Sequence, residues 1–328
     1  MSGSYASRRH LEIGDIVVGR YELTAEIGRG GCAIVFEAHD HRLGRVVALK
    51  VPVGFGGDSA KVSRFNRESR VIASIHHPNV CAVLDSGEAA DGTPFLVMER
   101  LYGESLRARV AKGRLGVTET LAIGLQLLSA LDAVHAAGIV HRDIKPDNII
   151  LVTRGGCDPL VKLLDFGLCR ASTRQRGDGE EETHTIDGAI IGTPEYMAPE
   201  QVLGRGTLDV RVDLYAVGVV LYEALTGDRT FFARNVRDIL TAVMSKRVSP
   251  LRQLRRDAPP RLEAILARAM ERRPQDRYAS ATDFQQDLVD VRAEISAISR
   301  KAQAGTWDAP TTRYEKPVRR VMRRTGSD

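Results

Sequence analysis

The sequence predicts an α+β fold in two unequal lobes, the first small and β-rich with one key helix, the second larger and mainly helical. Two patterns carry this. Up to about Arg100, short runs of apolar and β-branched residues alternate between glycine-bearing turns, with one interruption of helical period. Beyond it, apolar residues recur at helical spacing to about Ile298. At 328 residues, 43% hydrophobic and 27% charged, the chain has ordinary globular composition and room for both lobes.

From Tyr21 to Lys50 the order is strand, Gly-rich turn, strand, turn, strand, written "YELTAEIG", "RGGCA", "IVFEAHD", "HRLG" and "RVVALK". In "SRFNRESRVIASI", Phe65, Glu68, Ile72 and Ile75 share one helix face, so a carboxylate sits on the apolar stripe. "CAVLDSG" and "PFLVMER" complete the β-rich lobe. Leu121, Leu125, Leu128 and Leu131 then mark a helix that Gly138 is placed to cap, and "DLYAVGVVLYEALTG" reads as a helix buried on all sides and stopped by Gly227. The organisation expected is an N-terminal leader at 1–20 and one domain at 21–298, its lobes about 21–100 and 101–298. A basic, disordered tail is expected at 299–328. No internal repeat is visible.

Net charge is +5, and residues 299–328 carry all of it, so the body is neutral. A neutral body argues against nucleic acid as a partner, because displacing counterions from phosphates needs a basic face. The tail offers weak contact to an anionic membrane, against the plainer reading of a solvated tail. Cys32, Cys81, Cys157 and Cys169 lack the spacing of a disulfide framework or zinc site. No run is read as a transmembrane span and "MSGSYASRRH" has no signal-peptide core, which gives a cytoplasmic expectation.

"GRGGCAIV" (28–35) admits two readings, a dinucleotide fingerprint or a phosphate-covering hairpin. The context selects the hairpin, since Ile34, Val35 and Phe36 continue as strand where a fingerprint would open a helix. Gly28, Gly30 and Gly31 let backbone amides approach phosphates, although a plain Gly-rich hairpin carries the same residues. Lys50 and Glu68 are charges that burial penalises without a partner; the two are expected to pair, either as a structural ion pair or to hold Lys50 against nucleotide phosphates. "IVHRDIKPDNIILV" (139–152) places Asp143 and Asn148 five apart between apolar runs, and Asp165 of "LLDFGL" follows another apolar strand. An acid, an amide and an acid converging on one cleft suit Mg²⁺, a hard cation that takes oxygen ligands.

Together, in this order, these motifs resemble the eukaryotic-like Ser/Thr protein kinases that bacteria carry, over about Tyr21 to Ile298. The resemblance implies the two-lobed protein kinase fold, ATP and protein substrates as partners, and Mg²⁺, with Mn²⁺ as an alternative. It implies catalytic roles for Lys50, Glu68, Asp143 (base) and Lys145, and metal ligation by Asn148 and Asp165. ATP would contact Ile27, Gly28, Arg29, Gly30, Gly31, Cys32, Ala33 and Val35 of the hairpin, and Ala48, Lys50, Met98, Glu99, Leu101 and Ile150. Met98 would be the gatekeeper, and the Glu99 carbonyl and Leu101 amide would read the adenine edge. Ala33 replaces the third glycine of the family pattern, a mild departure past the closest phosphate approach.

By the same resemblance Glu200 should pair with Arg277, Asp213 should hold the loop backbone, and Thr193 should bond Asp143 and Lys145. His141 and Phe166 should join Ile72 and Val83 in a hydrophobic spine. The polar run "STRQRGDGEEETHTIDGAIIGT" makes Thr183 and Thr185 the regulatory phosphorylation candidates, with Arg142 positioned to receive the phosphate. Autophosphorylation would make a second copy a transient partner. The alternative function is an ATP-binding pseudokinase or scaffold.

Overall fold

The computed structural model describes residues 11–54, 59–153, 159–165, 185–186, 189–190, 194–204 and 208–304. The first lobe is an antiparallel sheet of β1 (Ile16–Val17), β2 (Tyr21–Arg29), β3 (Ala33–Asp40), β4 (Arg45–Pro52), β5 (Val83–Glu88) and β6 (Pro94–Glu99), in the order β1-β2-β3-β4-β6-β5. Val47 to Pro52 of β4 and Pro94 to Met98 of β6 are buried without alternation. Both faces of these central strands are covered, which removes the period of two. On one face Tyr21, Leu23, Phe36, Leu49, Phe95 and Val97 pack together. On the other, α1 (Ser59–Ala73) sets Phe65 and Ile72 against Ala48, Leu96 and Met98.

The second lobe holds α2 (Leu106–Ala111), α3 (Val117–Ala136), α4 (Pro199–Leu203), α5 (Arg211–Thr226), α6 (Val236–Ser245), α7 (Leu251–Leu254), α8 (Pro260–Ala269) and α9 (Ala281–Ala304). A small sheet, β7 (Gly103–Ser105), β8 (Ile149–Val152) and β9 (Leu160–Leu163), lies beneath the first lobe, and β10 (Thr185–Ile186) pairs with β11 (Ala189–Ile190). Gly138 and Gly227 follow α3 and α5 at φ +75° and +79°, the left-handed turn expected of them. Helix α5 is buried from Val212 to Leu225 and packs against α3 and α8. The approach to α8 depends on Gly218, where a Cβ would lie 2.9 Å from the Ala269 Cβ. Gly218→Ala is therefore expected to destabilise the fold by about 1–3 kcal/mol through overpacking, against its gain in helix propensity, as measured by urea unfolding.

Three expectations need correction. The leader does not end at residue 20, because β1 pairs with β2 and Val17 is buried in the sheet's core. Helix α9 runs to Ala304, past the expected start of the tail at 299. Strand β5 begins at Val83 rather than Cys81, since the Cys81 amide is turned to the Leu163 carbonyl at the end of β9, 3.0 Å away. Helix α3 is, by length and composition alone, apolar enough to cross a membrane, although Glu119 and Asp132 interrupt it. Its ten buried residues pack within the lobe alongside α5 and α9, the burial of a core helix.

Candidate active site

The turn between β2 and β3 leads into Val35, which lies opposite Lys50 in the sheet. Gly28, Gly30 and Gly31 have no left-handed φ. A Cβ on Gly28 or Gly30 would meet nothing closer than 3.8 Å, and one on Gly31 nothing within 4 Å. Neither backbone conformation nor internal packing explains three glycines, and what they leave is an open cradle lined by main chain. The Gly30 amide donates to the Ala33 carbonyl (2.9 Å), and Arg29 forks onto Glu26 at 2.5 and 2.8 Å. Ile27 is exposed, Cys32 half-buried and Ala33 buried. Beneath them Val35, Ala48, Met98 and Leu101 line one apolar cluster, and β8 presents Ile150 from the opposite lobe.

Lys50 stands opposite Val35 on β3 and Leu96 on β6. Its ammonium donates to Asp165 Oδ1 at 2.5 Å and not to Glu68. Desolvation pushes the Asp165 carboxyl up, but the Lys50 ammonium, helped by His141 and Lys145, holds it below the ordinary carboxylate range. The expected Lys50–Glu68 pair is thus corrected. On α1 the residues turned fully inward are Phe65, Ser69 and Ile72, while Glu68 is only half-buried. Burial pushes the Glu68 carboxyl up, and the charges of Arg64, Arg67 and Arg142 pull it back. Those guanidiniums compensate Glu68 where it lies, and Asp165 compensates Lys50.

The polar loop is held from behind by Asp213 in the first turn of α5. Asp213 Oδ2 accepts from the His141 amide (2.8 Å) and Oδ1 from the Arg142 amide (2.7 Å), the backbone hold expected of it. The His141 ring bonds the Leu164 carbonyl (2.8 Å), tying the loop to the segment that carries Asp165. Asp143 Oδ2 accepts from Lys145 Nζ (3.2 Å) and Asn148 Nδ2 (3.1 Å), and Asn148 Nδ2 also donates to the Asp143 carbonyl (2.9 Å). The amide nitrogen of Asn148 is committed to Asp143, which turns its carbonyl oxygen away from that residue. Asp143, Lys145, Asn148, Asp165 and Lys50 therefore converge on one cleft. Glu200 and Arg277 form the expected pair at 2.6 and 2.8 Å. Thr185 lies on β10 opposite Ile190. Phe166, Thr183, Thr193 and the tail beyond Ala304 lie outside the described residues.

Residues 21–289 match the family model described as the protein kinase domain. The chain belongs to the protein kinase family. Serine/threonine-protein kinase pkn3 of Myxococcus xanthus is 38% identical over 92% of this chain and 56% of its own length. Probable serine/threonine-protein kinase PknB of Bifidobacterium longum is 38% identical over 83% of this chain and 39% of its own. The chain thus spans about half or less of the length of these curated relatives. The crystal structure of the Mycobacterium tuberculosis PknI kinase domain superposes with a TM-score of 0.65 at 26% identity, over 86% of this chain and 99% of that one. The family uses ATP and a divalent metal and acts on proteins.

Three features of this kinase were missed in the sequence. His135, in the last turn of α3, bonds Asp213 Oδ2 at 2.9 Å, a third contact on the residue that holds the loop. Arg107 gathers Glu223 (2.5 Å), the Tyr196 hydroxyl and, more loosely, Asp147, bracing α2 against α5 and the 194–196 segment. The signal for it was present: Glu223 is a carboxylate inside the apolar run "VVLYEALTG" and must find a cation there. Lys162 joins Glu99 at 2.6 Å behind the cleft.

Proposed function

We propose that this kinase transfers the γ-phosphoryl group of ATP to serine or threonine hydroxyls of proteins. The observation that carries the reading is the convergence of Asp143, Lys145, Asn148, Asp165 and Lys50 beneath an open glycine cradle. The adenine would lie between Val35 and Ala48 above and Ile150 below, beside Met98, with Ile27 to Ala33 over the phosphates. Asp143 would orient the acceptor hydroxyl and take its proton, and Lys145 would place its cation beside the transferring group.

The donors present fit a hard divalent cation, Mg²⁺ by preference. Asn148 and Asp165 offer amide and carboxylate oxygens, and Asp143 fixes the rotamer of Asn148. When bound, such an ion neutralises charge between the phosphates and the transferring group. Among the described residues no cluster of three His, Cys, Asp or Glu stands ready to hold a metal. Asp165→Ala is accordingly expected to weaken nucleotide binding in the presence of Mg²⁺ much more than in its absence, read by fluorescence titration. The free Cys32 and Cys81 thiols suit the reducing cytoplasm in which this reading places the chain.

One observation favours a second reading, a kinase fold retained for binding: Lys50 is engaged by Asp165 and Glu68 stands away from it. Incubation with labelled ATP, Mg²⁺ and a generic acceptor protein separates the two. The proposal expects label on the acceptor from wild type and none from Lys50→Met. It also expects phosphate on Thr183 or Thr185 of wild type alone, by mass spectrometry. Wild type that binds ATP without transferring label would establish the binding reading.

A further inference from the structure

Glu99 does more in this structure than offer a carbonyl to the cleft. Its amide donates to the Ala82 carbonyl (3.0 Å), and its carboxylate Oε1 accepts from the Ala82 amide (2.8 Å) and from Lys162 Nζ (2.6 Å). The same ammonium lies 3.4 Å from the Val80 carbonyl. Lys162 belongs to β9 in the second lobe, whereas Glu99 ends the last central strand of the first. Between them runs Asn79 to Ala82, bonded to β9 through Leu163 N to Asn79 O (2.8 Å) and Cys81 N to Leu163 O (3.0 Å). One ion pair thus closes the back of the cleft across both lobes.

Its placement against the two walls gives the pair a role. Lys162 is the ladder partner of Ile150, the floor of the proposed adenine site, and Glu99 is the ladder partner of Val47, next to Ala48 of its proposed roof. The side chains of Lys162 and Glu99 are 12% and 28% exposed, so water screens the pair less than it would a surface bridge. We propose that Lys162 is a positioning residue for nucleotide binding: its bridge to Glu99 sets the spacing and register of the hinge strand over Ile150, and with them the fit of the adenine. The inference rests on the nucleotide reading above and names a residue that touches neither phosphate nor metal.

The test is titration of the wild-type chain, Lys162→Met and Lys162→Arg with a fluorescent ATP analogue, with and without Mg²⁺, together with steady-state kinetics. Lys162→Met keeps the length and apolar stem but removes the charge. It is expected to raise Kd and KM for ATP about tenfold, the order a partly shielded charge pair supplies. kcat and the KM for the protein substrate should stay within about twofold, and Lys162→Arg should restore most of the loss. The factor should be the same with and without Mg²⁺, because the bridge acts at the adenine end; a merely structural role would instead lower kcat and ATP affinity together. Should Lys162→Met fail to fold, Lys162→Gln replaces it, since a neutral polar side chain is kept there while the ionic contact is lost. Equal Kd for wild type and the variants overturns the positioning role and leaves the nucleotide site standing. Wild type that binds no nucleotide overturns both.

Discussion

Asp143→Asn is expected to lower the rate of phosphoryl transfer by about 10²–10⁴-fold while leaving nucleotide affinity nearly unchanged. The substitution keeps the side chain's size, and the amide oxygen can still accept from Lys145 and Asn148, the two donors now 3.2 and 3.1 Å from Asp143 Oδ2. The loop should hold its shape, because its backbone hangs on Asp213 and the His141 ring rather than on Asp143. What the amide cannot do is take a proton from a hydroxyl at neutral pH. Single-turnover transfer from labelled ATP reads the chemical step, and a parallel titration reads binding. Equal single-turnover rates for Asp143→Asn and wild type would remove Asp143 as the base and with it the mechanism proposed above.

The contrast between Asp143 and Glu68 shows which parts of the site were legible in the sequence. Asp143, Asn148 and Asp165 sit in loops whose flanking apolar runs fix where the chain enters and leaves the cleft, so short spacings were enough to bring them together. Glu68 sits on a helix, and there two faces fit the same sequence. Phe65, Glu68 and Ile72 lie at i, i+3 and i+7, whereas Phe65, Ser69 and Ile72 lie at i, i+4 and i+7, and both satisfy the helical period. The structure adopts the second, with Ser69 buried. Periodicity cannot choose between them, because both place Phe65 and Ile72 inward, and Lys50 takes as its partner Asp165, distant in sequence, rather than Glu68. Strand β1 failed for another reason. It has two residues, too few to alternate, and it turns back through Val18 at φ +48°, a conformation that β-branched residues rarely adopt. The sequence singles out Glu99 for its carbonyl alone and gives no sign of Lys162; only the crossing of Asn79 to Ala82 behind the cleft makes their side chains neighbours.

Glu200→Gln is expected to cost about 3–5 kcal/mol of stability, because it leaves the buried Arg277 cation without its counter-charge. The Arg277 side chain has 0% exposure. Its guanidinium forks onto both Glu200 oxygens, donates to the carbonyls of Glu271 (2.6 Å), Arg272 (2.9 Å) and Arg211 (3.3 Å), and lies 4.8 Å from the centre of the Tyr215 ring. The carbonyls cannot replace a full negative charge, and the Arg277 side chain has no surface of its own open to solvent. Glu200 belongs to α4, the Arg211 carbonyl opens α5, and Gln201 beside Glu200 reaches the Arg142 carbonyl at 3.4 Å. The same pair therefore anchors the 194–203 segment to the lobe behind the polar loop, so loss of stability and loss of transfer should appear together. Adding Arg277→Met to Glu200→Gln removes the stranded charge, and the double variant should be more stable than the sum of the two singles by about 0.5–3 kcal/mol. Urea unfolding of the four proteins closes the cycle. If Glu200→Gln unfolds within about 0.5 kcal/mol of wild type, as an ordinary surface change would, then the pair contributes geometry alone and the anchoring argument falls.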